Sequence, residues 1–346
     1  MRVLLIKMSS MGDIFHTFPA LTDAMRSVPG LTIDWLVEED FAEIPSWHPI
    51  VKDVLPIGLR RWRKHLLSKK TRNEVGEFFR QINLTKYDLI IDAQGLLKSS
   101  WVAKRIQART VGFDWYSARE PLASWFYSQK FRVSKDLHAI TRIRHLFAHA
   151  LNYPLPEAKI DYALNHQSWL PLNDLYDKNY VVCLHGTTWI TKYWPEEYWQ
   201  KLITKLNQKG FLVVLPWGSE QEKLRSISLA EKKLAWCPEY PLSLSDMARL
   251  LKFAKGVVSV DTGLSHVAAS LGVPMVVMYR VTDPRLVGEY SPKIINLCSP
   301  LYKSYIKNFK RSQEKDSLIG LGVDDVFHAL ETKLTQNDEL LIEESR

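Results

Sequence analysis

Two segments carry residue types that can do chemistry at short spacing. Ser9-Ser10-Met11-Gly12-Asp13 follows the apolar run Val3 to Lys7, and Asp261-Thr262-Gly263-Leu264-Ser265-His266 follows Gly256 to Val260. Each is predicted to be a buried strand whose carboxyl end opens through glycine into a helix N-terminus. That is where open parallel sheets bind ligands and where free N–H groups favour anions. About 250 residues separate the two, so one site built from both requires two domains facing each other across a cleft. At the second segment a carboxylate, a hydroxyl, an unobstructed amide and an imidazole surround one helix start. N-capping of a helix beginning near Leu264 accounts for Asp261 alone.

A third cluster follows the strand predicted over Tyr180 to His185, where Gly186-Thr187-Thr188 precedes Lys192 and Trp194-Pro195-Glu196-Glu197. Hydroxyls, loop amides and one ammonium suit a diphosphate. Glu222 lies just beyond the strand predicted over Phe211 to Pro216, placed to accept from sugar hydroxyls as in ribose recognition; an exposed helix carboxylate is the simpler reading of it. Neither a Walker lysine motif nor a complete GxGxxG occurs, which argues against a P-loop NTPase and a dinucleotide dehydrogenase.

The elements that must position these groups alternate. Further strands are predicted over Thr32 to Val37, Tyr87 to Asp92, Thr110 to Phe113 and Pro274 to Tyr279. Helices are predicted over Phe18 to Ser27, Thr71 to Gln81, Glu196 to Gln208 and His266 to Leu271, with Gly210 and Gly272 closing the last two. Strands that are continuously apolar and separated by helices imply parallel sheets covered on both faces. The fold class is α/β with two doubly wound domains. A boundary falls between Asn152 and Asn179, dividing residues 1–165 from 166–323. Residues 324–346 form a C-terminal helix, Val326 to Thr335, and an acidic tail that could pack back on the first domain.

The 346 residues exceed what one core usually fills. No apolar run reaches bilayer length and Lys7 interrupts the start too early for a secretory signal, so a cytoplasmic protein is expected. Cys183, Cys237 and Cys298 are widely spaced without a CxxC and are expected to be buried free thiols; neither a disulfide framework nor a zinc site is supported. The net charge of +8 is uneven: residues 1–150 hold 23 Lys+Arg against 15 Asp+Glu, and the remainder is balanced. Arg60 to Arg72 carries seven positive charges and no acid, with Trp62, Leu66 and Leu67 interleaved. Their spacing fits one amphipathic stripe of the kind that rests on anionic membranes, and also a solvated helix face or a nucleic-acid patch.

Ser9 to Asp13, Asp92-Ala93-Gln94-Gly95, Ala118-Arg119-Glu120-Pro121-Leu122-Ala123-Ser124, Lys192 to Glu197, Ser259 to His266 and Thr282-Asp283-Pro284 occur in order over nearly the whole chain. In these motifs the sequence resembles the ADP-heptose:lipopolysaccharide heptosyltransferases, nearest to their type I branch. The resemblance implies a GT-B fold, two Rossmann-like domains with acceptor on the first and nucleotide sugar on the second. It implies inverting transfer of L-glycero-D-manno-heptose from ADP-heptose to the first Kdo of Kdo2-lipid A, in inner-core assembly at the cytoplasmic face of a Gram-negative inner membrane. Asp13 matches the general base, although capping of the following helix also explains it. Thr187, Thr188, Lys192, Thr262, Gly263 and His266 would surround diphosphate and sugar, Glu222 the ribose, Asp261 the heptose hydroxyls and Leu242 the adenine. Ser10, Gly12, Arg60, Arg61, Arg63, Lys64 and Arg119 would meet the acceptor, with Trp62 and Leu66 at acyl chains. The motifs call for no metal, other cofactor, nucleic acid or obligate protein partner. Arg280-Val281 stands where Gly-Pro is common in the family, so that loop is expected to differ in shape, with Arg280 available to a diphosphate. The alternatives are a type II or other core transferase, and a non-catalytic basic protein binding RNA or membrane. Against the last stand the missing RNA-recognition motif and the neutral second half.

Overall fold

The computed structural model describes residues 1–65, 67–157, 159–187, 189–230, 235–300 and 318–344. The chain forms two compact units, Met1–His166 and Gln167–Arg346. The first holds six parallel strands: β1 (Arg2–Ile6), β2 (Thr32–Glu38), β3 (Val51–Ile57), β4 (Leu89–Asp92), β5 (Thr110–Phe113) and β6 (Gln129–Phe131), in the order β3-β2-β1-β4-β5-β6. The second holds β7 (Tyr180–Leu184), β8 (Leu212–Val214), β9 (Ala235–Trp236), β10 (Gly256–Val260), β11 (Met275–Tyr279) and β12 (Ile294–Cys298), in the order β12-β11-β10-β7-β8-β9. Counted from its own first strand, each unit has the doubly wound order of dinucleotide-binding folds. Each therefore reverses direction once, between β1 and β4 in the first unit and between β7 and β10 in the second.

The central strands are apolar on both faces. Val3 to Ile6, Tyr180 to Leu184 and Met275 to Tyr279 are buried throughout, as a sheet with helices on both sides requires. In the first unit Leu4, Ile6, Leu36 and Ile90 pack with Phe79 and Val102, and Phe18 meets Trp35 with ring centroids 5.7 Å apart. Helices Phe18–Ser27 and Ala139–Leu151 are tied by a buried ion pair, Arg144 Nε to Asp23 Oδ2 at 2.6 Å.

Three expectations change. Arg60 to Arg72 falls on two helices, Leu59–Lys64 closed at His65 and Lys69–Ile82 opened at Ser68, rather than on one. Trp62 is 3% exposed, edge-on to Phe78 at 5.6 Å, so it is a core residue and cannot touch acyl chains; Leu66 lies outside the described residues. Val326, Phe327 and Leu330, in the helix Val323–Glu344, belong to the core of the second unit. This stretch of the tail is thus part of that unit. Of the cysteines only Cys183 is buried; Cys237 is half-buried and Cys298 exposed, because it ends an edge strand.

Candidate active site

At the first reversal, β1 ends at Ile6 and Ser10 caps the helix Met11–Phe15. Asp13 is therefore inside the helix, at its third position, rather than at the cap. Ser10 donates to Asp13 Oδ2 from its backbone N (2.9 Å) and its Oγ (3.0 Å), and Lys7 Nζ lies 3.6 Å from Oδ1. Burial would raise the Asp13 carboxyl, but the Lys7 ammonium, His16 and the Ser10 donors outweigh it and hold the group well below the usual carboxylate range. A little over a quarter of the side chain, 27%, stays open. The group is ionised, fixed and reachable.

The neighbouring strand braces this turn. Gln94 Oε1 accepts from Met8 N (2.9 Å) and Ser9 N (3.2 Å), while Nε2 donates to Ser9 O (2.7 Å). Buried Asp92 accepts from the amides of Gln94 and Gly95 and from Tyr127 Oη. Gly95 adopts φ +64°, a conformation that disfavours any side chain.

Lys98, which sequence reasoning passed over, donates from Nζ to Ser9 Oγ at 3.3 Å. Its pKa is lowered by burial, which Glu38 opposes and Arg60, Arg63 and Arg119 reinforce. Those groups therefore converge on one ammonium beside the Ser9–Asp13 turn. Ser10 is exposed and Gly12 buried. Arg60 pairs with Asp40 at 3.1 Å, and Arg61 is shared between Glu39 (3.0 Å) and Glu74 (2.6 Å). Arg63 and Lys64 are exposed, without an acidic partner among the described residues.

At the second reversal Lys192 ends the short turn Ile190–Lys192 and its Nζ meets Asp261 Oδ2 at 2.6 Å. Both side chains are largely buried. Thr262 is the N-cap of the helix Gly263–Ser270, so capping does not account for Asp261, whose partner is a cation from across the reversal. His266, one turn into that helix, places Nε2 3.6 Å from Glu289 Oε1. Buried Glu289 accepts from Ser265 Oγ and Tyr279 Oη; its loop lies outside every quoted motif, and no local signal marks it. Thr187 is half-buried, and Thr188 lies outside the described residues.

Glu222 accepts from Gly218 N at 2.9 Å through Oε2. A Cβ on Gly186 would stand 2.4 Å from its Oε1, so the ends of β7 and β8 meet at that carboxylate. Leu242 is half-buried in the loop after β9. His185, at the end of β7, is driven down to about 3 by burial and by Arg225. Arg280 is buried after β11, and Asp283 pairs with Arg285 at 2.6 Å.

A family model described as glycosyltransferase family 9 (heptosyltransferase) matches residues 75–317. Lipopolysaccharide heptosyltransferase 1 of Pseudomonas aeruginosa is 47% identical over 311 residues, covering 88% of this chain and 86% of the relative. The structure of the Escherichia coli heptosyltransferase WaaC with ADP superposes with a TM-score of 0.87 at 42% identity, covering 96% of this chain and all of that one. The same enzyme with ADP-2-deoxy-2-fluoro heptose gives 0.85 at 41%, with coverage of 96% and 99%.

Proposed function

The chain belongs to glycosyltransferase family 9, the heptosyltransferases, and on that premise we propose that it moves L-glycero-D-manno-heptose from ADP-heptose to the first Kdo of Kdo2-lipid A, with inversion. The observation that carries the donor side is a linear order. Along the carboxyl edge of the second sheet run Asp261 after β10, Thr187 and Lys192 after β7, Glu222 after β8 and Leu242 after β9. A nucleotide sugar has its parts in the same order: sugar, diphosphate, ribose, base. Three inter-strand steps cover about 14 Å, the scale of such a ligand. The relatives solved with ADP and with a fluorinated ADP-heptose support a nucleotide sugar as the donor.

On the acceptor side Asp13 takes the proton of the attacking Kdo hydroxyl as its oxygen bonds to the anomeric carbon of heptose. The bond to ADP breaks on the opposite face, and its electron pair leaves on the β-phosphate oxygen. Lys192, Thr187, Thr188, His266 and the amide of Gly263 offset that charge, so the leaving group departs without a second carboxylic acid. A carboxylate held so far down is a weak base, but one always available. It works because proton removal accompanies bond formation rather than preceding it. Lipid A phosphates and Kdo carboxylates match Ser10, Gly12, Arg60, Arg61, Arg63, Lys64 and Arg119, and the acceptor places the enzyme on the cytoplasmic face of the inner membrane. Among the described residues no helix is long and apolar enough to cross a bilayer.

ADP release from ADP-heptose tests the reading. Release is expected only when Kdo2-lipid A is present; turnover confined to an acceptor already carrying heptose would move the protein to the type II branch.

A further inference from the structure

The sequence places membrane contact at Trp62, and the structure buries that residue. Large apolar side chains come to the surface elsewhere, in the segment 114–126 that follows β5. Trp115, Tyr116, Leu122, Trp125 and Phe126 are each 40% to 69% exposed within twelve residues. Trp115 and Trp125 stack with centroids 5.7 Å apart and planes at 26°, so the patch is preformed. An exposed aromatic cluster of this kind marks an interaction surface.

Charge says what it meets. The two acids of the segment are engaged by backbone amides: Asp114 accepts from Tyr116 N and Ser117 N, and Glu120, itself exposed, accepts from Leu97 N at the start of the helix Leu97–Lys104, at 2.7 Å. The cations face outward. Lys130 and Arg132 are exposed on and beside the edge strand β6, and Arg132 lies over the Tyr116 ring at 5.0 Å. Tryptophan and tyrosine interleaved with arginine and lysine suit the headgroup layer of an anionic bilayer, where rings reach the acyl boundary and cations stay with phosphates. A second copy of the chain fits poorly, because a two-fold contact would set these cations against themselves.

We propose that segment 114–126, with Lys130 and Arg132, is the surface by which the first unit docks on anionic membrane. The segment also reaches the candidate acceptor site. Glu120 N donates to Gly95 O, and Arg119 N lies 3.5 Å from where a Cβ on Gly95 would stand. Docking there would bring a lipid-borne acceptor in beside Arg119 and Lys98. In that respect the inference rests on the proposed acceptor, and its test does not.

Flotation of the full chain with phosphatidylcholine vesicles, with and without phosphatidylglycerol and with no acceptor lipid in either, measures the surface alone. The wild type is expected to float with the anionic vesicles, and its tryptophan fluorescence to be quenched by brominated acyl chains. Trp115→Ser/Trp125→Ser should lower the partition at least tenfold with an unchanged melting temperature, and Lys130→Glu/Arg132→Glu should abolish the preference for anionic lipid. Should the double tryptophan variant not fold, Trp125→Ala alone is expected to lower partition severalfold. Wild type that does not float, variants that float unchanged, or a dimer that the tryptophan variant dissolves would each overturn the proposal. Turnover of an acyl-free acceptor should be untouched in the tryptophan variants. Flotation without turnover would sink the functional reading and leave this surface standing.

Discussion

At the first reversal the charged pair, Lys7 and Asp13, comes from a single strand-to-helix junction and stays 3.6 Å apart; at the second, Lys192 and Asp261 come from two junctions and meet at 2.6 Å. The strand order around them is the same. The difference lies in what each carboxylate is left to do. Asp13 satisfies one oxygen on Ser10 and turns the other to Lys7 at 3.6 Å, with part of the group open to solvent, an arrangement that suits a proton acceptor. Asp261 holds the ammonium that a diphosphate would want, so an anion at Lys192 competes with a fixed carboxylate. One fold thus leaves a partly open carboxylate at one switch point and a close, largely buried ion pair at the other.

The largest effect that would break this contrast is on Asp13. Asp13→Ala is expected to lower kcat by about 10² to 10⁴, the usual worth of a positioned base, while ADP binding by calorimetry stays unchanged. Since the carboxyl sits so low, its ionisation should contribute no acid limb to kcat/KM above about pH 4. A variant of near-normal rate would remove the distinction between the two sites. Next comes Lys192→Ala, expected to weaken ADP about tenfold to a hundredfold, as for a hydrogen bond to a charged group. Asp261→Asn should instead leave ADP affinity the same or tighter, because it releases the ammonium. Equal losses in both variants would mean that the pair is purely structural.

Lys98→Ala sharpens the first side. A roughly tenfold rise in KM for an anionic acceptor is expected, in line with one lost charge-assisted contact, without change in ADP binding. The last effect concerns stability. His185 is neutral in the folded second unit down to about pH 3, whereas an unfolded histidine protonates near 6.5. The unfolded chain binds the extra proton between those values. Stability is therefore lost as pH falls through that window, by at most about 1.4 kcal/mol per pH unit from this group. His185→Gln should flatten that slope in denaturant titrations. Asp13 is ionised in both states above about pH 5 and adds a slope of the same sign only below that, because its folded carboxyl lies under the unfolded one.

The eight strands legible in the sequence are the four inner strands of each sheet, and the four unread ones, β3, β6, β9 and β12, are all edges. Inner strands are covered on both faces and read as unbroken apolar runs. An edge strand tolerates what the interior does not: β3 carries Lys52, Asp53 and Pro56, β6 exposes Gln129 and Lys130, and β9 has two residues. The same geometry decides which site residues could be found. Asp13, Lys192, Glu222 and Asp261 stand at the ends of inner strands, where a glycine and a helix start announce them. Lys98 and Glu289 reach their places through contacts between distant parts of the chain, which no local spacing records; Glu38 ends inner strand β2 but has no glycine beside it to mark it. Trp62 misled because a basic surround disguised an inward-facing ring.

Gln94 has a consequence for timescale. One amide side chain takes the N–H groups of Met8 and Ser9 and returns a hydrogen to the Ser9 carbonyl, doing for an irregular turn what a neighbouring strand does for a ladder. The backbone protons of Met8 and Ser9 should accordingly exchange with deuterium as slowly as those of β1, leaving the stretch before Asp13 among the last parts of the first unit to open.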